Sequence, residues 1–332
     1  MVRLRRSSPD TPGWTRRRAG KGFVYLDSEG DRLSPDDVQR VKDLVIPPAW
    51  QDVWICPWPH GHLQAVGTDD AGRRQYLYHP DWRTRRDDEK FQRMLVFGKA
   101  LSKAREQVLV DLGADGMTQE RACAVAVRLL DLGYFRIGNE EYAEENNSFG
   151  LTTLERRHVR RAGKALVFEF TGKSGIEHTV TIDDPGAVEA LEVMRRRRGG
   201  DDRLLVWKDG RRWRPVDSDL VNEYVGRTTG VGATAKDFRT WHATVIAAAA
   251  LASSGEAATK TARKRAVVAA MKEVAEFLGN TPALARSAYV DPRVVDAYEE
   301  GRTIEAATKR RYKTADAKQA ALERAVLRLL KE

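Results

Sequence analysis

The sequence predicts an α+β protein with a small β-rich domain followed by a larger, mostly α-helical domain. With 332 residues, the chain is long for one hydrophobic core, so we expect two domains. Residues 23–82 alternate apolar and polar side chains in short runs, which is typical of half-buried strands. Later segments repeat apolar residues at helical spacing. We therefore divide the chain into a flexible basic arm (1–22), a β-rich domain (23–88) and a helical domain (89–332).

The β-rich segment contains one clear hairpin and one short helix. Residues 63–66 and 75–78 alternate in polarity, and turn-forming residues 67–72 separate them. A helix over 34–44 precedes two prolines. The highly charged residues 83–90 then lead into the helical domain.

The helical domain carries recognisable helix ends and a second hairpin. Apolar stripes predict helices over residues 90–112, 118–132, 240–253, 259–278 and 304–330. Gly133 and Gly279 have the residue type that ends helices, and Thr281 with Pro282 is a helix start that places Tyr289 about two turns inside the new helix. Residues 166–170 and 176–182 alternate around a short turn, which predicts a hairpin with Lys173 at its tip.

The charge balance favours a polyanionic partner. The chain has 57 Lys and Arg against 48 Asp and Glu, a net charge of +9 and a pI of about 9.5. This charge fits nucleic-acid binding, although charge alone also fits simple solubility. Residues 1–22 contain seven basic side chains and one acidic one. They form either a DNA-binding arm or a solvated leader.

Other features point to a cytoplasmic protein without a metal. No apolar run reaches 18 residues, and the Arg-rich start lacks the apolar core of a secretory signal. Cys56 and Cys123 are expected to be buried thiols in a reducing compartment. Cys56, His60 and His62 match no zinc spacing. We expect no cofactor and a location in the cytoplasm, with the nucleoid.

Four residues supply the chemistry of a metal-free phosphodiester transfer. In chain order they are Arg136, Lys173, Arg239 and Tyr289. Two guanidiniums hold the phosphate oxygens, an ammonium protonates the leaving oxygen, and a phenol attacks the phosphorus. A phenol needs help to lose its proton, because its ordinary pKa is about 10, and nearby guanidiniums favour the anion.

The flanks of these residues resemble those of a known family. Arg136 lies in YFRIGN, Lys173 in FTGKSG and Arg239 in KDFRTW. With Tyr289, they resemble the catalytic set of the poxvirus-like type IB DNA topoisomerases, in the bacterial branch, and the resemblance covers about residues 14–298. It implies a monomer that clamps duplex DNA and cuts one strand through a 3′-phosphotyrosyl link to Tyr289. Strand rotation and religation then relax supercoils without ATP or metal.

The resemblance also implies secondary contacts. Poxvirus enzymes have histidine at the position of Asn280. In this chain, Asn280 either donates a hydrogen bond to phosphate or only caps the helix. Lys236 is expected to be a further phosphate contact. In the β-rich domain, residues 72–78 resemble the family's DNA-facing strand, although a plain amphipathic strand is the alternative. The expected DNA contacts are Gln75, Tyr76, Tyr78, Tyr142 and Lys236.

Two other functions remain open from the sequence. A tyrosine recombinase uses similar chemistry in a tetramer, but typically has histidine where this chain has Lys236. A DNA-binding protein without catalysis is supported by the charge alone.

Overall fold

The chain forms two compact units, Met1–Gln92 and Arg93–Glu332, and the predicted α+β class is confirmed. The computed structural model describes residues 3–133, 135–138, 140, 143, 147–255 and 258–331. In this described part, no helix is both long enough and apolar enough to cross a bilayer.

The first unit is built on a five-stranded antiparallel sheet in the order β2-β1-β3-β4-β5. Its strands are β1 (Trp14–Ala19), β2 (Gly22–Leu26), β3 (Gln51–Ile55), β4 (Leu63–Thr68) and β5 (Arg74–Tyr78). Helix α1 (Pro35–Asp43) begins at the predicted position, because the Ser34 side chain accepts a hydrogen bond from the Asp37 amide. Its Val41 packs with Val53 and Ile55 of β3 in the core of this unit.

Residues 14–19 belong to the predicted flexible arm, but in the structure they form β1, which pairs with β2 and β3. The Arg16 guanidinium donates hydrogen bonds to the carbonyl oxygens of Ile46, Pro47 and Trp50 at 3.2, 2.6 and 2.8 Å. Trp14 packs against the core. The local charge did not predict this strand, because the residues that bind Arg16 lie some 30 positions later in the chain.

The second unit is mostly helical. Helix α2 (Pro80–Leu112) contains the charged segment 83–90, so both the predicted boundary and the boundary between the units lie within it. The other α-helices with bounds inside the described ranges are α3 (Gln119–Gly133), α4 (Pro185–Arg196), α5 (Ser218–Thr229), α6 (Ala235–Ser253), α7 (Lys260–Leu278), α8 (Pro282–Ala288), α9 (Pro292–Glu299), α10 (Glu305–Thr308) and α11 (Ala315–Leu329).

The described residues of this unit also form two small antiparallel sheets. One has the order β6-β7-β8, and the other pairs β9 with β10. The strands are β6 (Val159–Ala162), β7 (Ala165–Thr171), β8 (Glu177–Ile182), β9 (Val206–Asp209) and β10 (Arg212–Pro215). Strands β7 and β8 form the predicted hairpin, and the turn that joins them starts at Lys173.

Helix α6 lies at the centre of the second unit. It begins at Ala235, five residues before the predicted start, because Thr234 and Asp237 form a capping box. Trp241 is fully buried, and an added Cβ at Gly98 would lie 2.5 Å from its ring. The early start matters because it places Arg239 inside the helix, where it is only 5% exposed.

The predicted long helix over residues 304–330 is wrong, because the structure has two helices, α10 and α11. The intervening KRRYK segment holds four cations in five residues, and like charges at helical spacing repel one another. Thr314 then caps α11 by accepting a hydrogen bond from the Ala317 amide at 3.1 Å.

Candidate active site

Arg136 lies just past the end of α3, as predicted, on a tightly held connection. The amide of Leu151 donates to the Arg136 carbonyl oxygen at 2.8 Å. Gly138 has a φ of +98°, and an added Cβ at Gly150 would lie 2.5 Å from the Gly138 Cα atom. Only glycine permits this close approach of two backbones. The connection therefore holds the Arg136 backbone in a defined position.

Two guanidiniums converge on the turn that follows α7. Arg239 Nη2 donates to the Leu278 carbonyl oxygen at 2.6 Å. Arg136 Nη2 donates to the Gly279 carbonyl oxygen at 3.2 Å and to Asn280 Oδ1 at 2.5 Å. Gly279 ends α7 with a φ of +58°, in the left-handed conformation that glycine adopts readily. Residues that are 144 positions apart in sequence thus meet at one turn.

Tyr289 is the C-cap of α8, so the prediction that it lies inside a helix is wrong. Helical backbone is disfavoured at Asp291, which precedes a proline, and Asp291 caps the next helix, α9. Tyr289 is half-buried, and Arg239 Cζ lies 5.7 Å from the centroid of its ring. The Thr244 hydroxyl bridges the Tyr289 carbonyl oxygen and the Asp291 amide at 3.4 and 3.1 Å. Tyr289 is therefore held at a helix end.

The two arginines make the phenol of Tyr289 more acidic. Burial raises the pKa of Tyr289, but the positive charges of Arg239 and Arg136 and their hydrogen bonds outweigh it, so the pKa lies below its ordinary value. Burial and the nearby charge of Arg136 together lower the pKa of Arg239 to about 10, although Tyr289 opposes them. The cluster therefore stabilises negative charge, on the phenol and on any anion beside it.

The same cluster holds buried donors that lack an acceptor. Arg136 Nε and Asn280 Nδ2 are buried, and neither has a hydrogen-bond partner among the described residues. Burying such a donor costs free energy unless a partner is bound. A phosphate offers several acceptor oxygens, so it fits this arrangement. Asn280 is not the N-cap of α8, since Thr281 fills that position, which disfavours the capping-only alternative.

Lys173 lies on the hairpin turn with its side chain exposed to solvent. Backbone hydrogen bonds from Gly172 to Ile176 at 2.7 Å and from Gly175 to Gly172 at 3.1 Å close the turn. Ser174 has a φ of 66°, an uncommon conformation for a residue other than glycine. The structure thus places Lys173 at a defined point on a solvent-accessible tip.

Of the two other predicted DNA contacts in this unit, the structure describes Lys236 but not Tyr142. Lys236 is exposed in the first turn of α6, and its neighbour Asp237 is buried in an ion pair with Arg93 at 3.2 Å. Tyr142 lies outside the described residues.

The predicted DNA contacts of the first unit divide between the two faces of β5. Strand alternation places Tyr76 and Tyr78 on one face, where their rings stack with centroids 6.3 Å apart. Gln75 shares the other face with Leu77, which packs against the core. Gln75 Nε2 donates to Asp69 Oδ2 at 2.9 Å. Tyr76 is 45% exposed, so it is more accessible to DNA than Gln75 and Tyr78, which are both partly buried.

Sequence reasoning missed His178, which belongs to β8 and packs beside the cluster. An added Cβ at Gly279 would lie 2.5 Å from its ring, and one at Gly172 would lie 2.6 Å from it. The only sequence signal was a histidine in an alternating strand next to the Lys173 turn. Its contact with Gly279, about 100 residues later, is visible only in the folded chain.

Two family models match the chain. Residues 79–318 match the eukaryotic DNA topoisomerase I catalytic core, and residues 22–69 match the bacterial DNA topoisomerase IB N-terminal domain. Neither match supports the recombinase alternative.

Named relatives agree with these matches over most of the chain. The chain is 30% identical to DNA topoisomerase 1B of Acanthamoeba polyphaga mimivirus, covering 86% of this chain and 88% of the relative. It is 22% identical to DNA topoisomerase 1B of Vaccinia virus (strain Copenhagen), with 74% and 75% covered. Since a family model covers most of the chain and the mimivirus protein aligns nearly end to end with it, this protein belongs to the type IB DNA topoisomerase family.

Proposed function

We propose that this topoisomerase relaxes supercoiled duplex DNA by cutting one strand with Tyr289 and resealing it. One observation carries the assignment of the nucleophile. The guanidiniums of Arg136 and Arg239 converge on the Tyr289 phenol and lower its pKa. A tyrosine that only packs would have no need of two cations at its hydroxyl.

Cleavage exchanges one phosphodiester for another. Tyr289 Oη attacks the scissile phosphorus and its proton passes to solvent. The bond from phosphorus to the 5′-oxygen breaks, and Lys173 gives that oxygen a proton. The products are a 3′-phosphotyrosyl link and a free 5′-hydroxyl. Arg136, Arg239 and Asn280 donate to the nonbridging oxygens, whose charge grows in the transition state.

Religation is the reverse step. The 5′-hydroxyl attacks the phosphotyrosine, the phenol leaves, and Lys173 takes its proton back. The energy of the broken bond is kept in the phosphotyrosine, so the cycle needs no ATP. The guanidiniums supply the positive charge that metal ions supply in other phosphoryl-transfer sites. Between the two steps, rotation of the cut strand about its partner releases supercoils.

DNA binding is assigned to both units. Tyr76 and Tyr78 contact the duplex from the exposed face of β5, and Lys236 contacts a phosphate from the start of α6. Gln75 reaches DNA only by exchanging its hydrogen bond with Asp69 for one to a base. A monomer that clamps the duplex is sufficient, because cutting one strand uses one tyrosine. We place the protein in the cytoplasm, with the nucleoid.

The decisive test is relaxation of a supercoiled plasmid in EDTA without ATP. The wild-type protein should relax the plasmid and, after detergent quenching, remain linked to the 3′ side of the cut. Tyr289→Phe should bind the plasmid but form no adduct. Tyr312→Phe is the matched control and should retain activity, because the Tyr312 hydroxyl donates to the Ala307 carbonyl oxygen and not to a residue of the cluster.

Two results would overturn the proposal. Wild-type adduct levels in Tyr289→Phe would show that another residue is the nucleophile. Relaxation whose rate per protein molecule falls on dilution would favour the recombinase-like assembly over a monomer.

A further inference from the structure

Three aromatic rings form a stack that runs through the hairpin. Phe135 stacks on Phe170 with centroids 5.8 Å apart and an interplanar angle of 17°. Phe170 stacks on His178 at 5.2 Å and 22°. Phe135 is contributed by the segment after α3, Phe170 by β7 and His178 by β8. We call these three side chains the aromatic stack.

Each end of the aromatic stack adjoins a residue of the proposed catalytic set. Phe135 precedes Arg136 in the chain. The ring of His178 fills the space between Gly279, whose carbonyl oxygen accepts from Arg136, and Gly172, which precedes Lys173. The contacts are so close that neither glycine can carry a side chain while the ring stays in place. His178 thus contacts both the Lys173 turn, at Gly172, and the turn after α7, at Gly279.

The surroundings of His178 favour an uncharged ring. The ring is half-buried, and burial lowers its pKa, with Arg136 and Arg239 lowering it further and Glu177 opposing them. A neutral imidazole adds no third positive charge beside the two guanidiniums. It is suited to packing rather than to holding phosphate.

We propose that His178 is a positioning residue that sets the distance between Lys173 and the scissile phosphate bound by Arg136. The inference rests on the proposed role of Lys173 as the proton donor. A short side chain at position 178 removes the ring that contacts both turns, so Lys173 is no longer held at the leaving oxygen. The guanidiniums and Tyr289 keep their own contacts. The defect is therefore expected in protonation of the leaving group and not in attack.

The test uses single-turnover cleavage of an oligonucleotide whose scissile phosphate carries either a 5′-oxygen or a 5′-sulfur leaving group. A thiolate leaves without being protonated, so the sulfur substrate bypasses the proton donor. Lys173→Ala should slow cleavage of the oxygen substrate by about 10²-fold or more and cleave the sulfur substrate at close to the wild-type rate. His178→Ala should show the same pattern with a loss of at least about 10-fold. The double variant should be no slower than Lys173→Ala alone.

Three controls separate the possible outcomes. Thr179→Ala removes an exposed neighbour on the same strand and should cleave both substrates normally. His178→Phe keeps a ring that stacks on Phe170 and should be faster than His178→Ala on the oxygen substrate. His178→Leu fills the space without stacking and repeats the test if the alanine variant unfolds.

The proposal and the underlying mechanism fail in different ways. If Lys173→Ala stays slow on the sulfur substrate, the proton-donor role is wrong. If Lys173→Ala is rescued but the folded His178 variants are equally slow on both substrates, His178 acts on the phosphate or the fold and the positioning role is wrong. A His178→Phe protein as slow as His178→Ala would show that the ring nitrogens are needed, which also contradicts the proposal.

Discussion

At the scale of single residues, the side-chain amide of Asn280 can make two separate interactions in the site. Its oxygen accepts from Arg136, and its buried nitrogen has no acceptor among the described side chains and backbone. An amide can do both at once because it carries an acceptor and two donors. A carboxylate of the same shape keeps the first interaction and loses the second.

These two interactions predict that alanine and aspartate at position 280 slow cleavage to different extents. Asn280→Ala should slow single-turnover cleavage by about 10²-fold, the usual cost of losing one donor to a transition-state oxygen. Asn280→Asp should be slower still, because its charge holds Arg136 and repels the phosphate. Because both substitutions remove the amide nitrogen, wild-type rates in the two variants would exclude a role for the Asn280 nitrogen. DNA affinity, measured in parallel, shows whether the loss lies in binding or in chemistry.

The acidity of Tyr289 gives a second prediction at this scale. Arg239 is the largest influence that lowers the pKa of this phenol, against burial, which raises it. Arg239→Ala should therefore raise the pKa of Tyr289 and shift the pH–rate profile of cleavage towards alkaline pH, in addition to slowing the reaction. Because the chain has nine tyrosines, the shift is measured as the difference between ultraviolet titrations with and without the Tyr289→Phe substitution. Arg286→Ala, an exposed arginine of α8, is the control and should leave the profile unchanged.

At the scale of elements, a buried ionic network holds the last helix in place. Arg105 of α2 donates to both oxygens of Asp131 in α3, at 2.7 and 2.8 Å. It also donates to both oxygens of Glu323 in α11, at 2.6 and 2.8 Å. His242, three residues after Arg239 in α6, lies 3.1 Å from Asp131. The network thus ties four helices together, and one of them, α6, also carries Arg239.

Removing one charge from this network should destabilise the fold. Asp131→Ala leaves Arg105 with one buried carboxylate, so the free energy of unfolding should fall by about 3–5 kcal/mol in urea denaturation. Glu169→Ala breaks an exposed pair with Arg160 and should change little. Similar effects of the two substitutions would show that the buried network does not stabilise the fold.

The same residue predicts how stability depends on pH. Although burial raises the pKa of Asp131, the hydrogen bonds and charge of Arg105 hold it well below its usual range. The carboxylate therefore stabilises the folded state fully above the ordinary pKa of about 4. This contribution is lost as the pH falls below that value. The difference between wild type and Asp131→Ala should stay constant from pH 7 to about 5 and shrink at lower pH.

At the scale of the whole molecule, the net charge of +9 predicts salt-sensitive DNA binding. Contacts to phosphates release counterions, so the dissociation constant should rise at least about 10-fold between 50 and 200 mM salt. Fluorescence anisotropy with a short duplex measures this change. Tyr289→Phe should show the same slope, because the nucleophile takes no part in charge neutralisation. A flat response would contradict phosphate-based binding.

Local sequence rules succeeded where neighbours in the chain decide the structure. The hairpin carrying Lys173, the ends of α7 at Thr259 and Gly279, and the start of α8 at Thr281 follow the predicted pattern. Each depends on turn residues and caps within a few positions. The split of the C-terminal helix was missed because periodicity outweighed the cluster of like charges before Thr314.

The sequence by itself determined the family, the α+β class and the residue types needed for metal-free phosphodiester transfer, because those depend on side-chain chemistry and on the order of motifs. Only the tertiary structure decided that Arg136 meets Asn280, that Arg16 belongs to a sheet and that His178 packs against Gly279. These contacts join residues far apart in the chain. Their geometry follows from how helices and hairpins pack, which no local pattern of residues encodes.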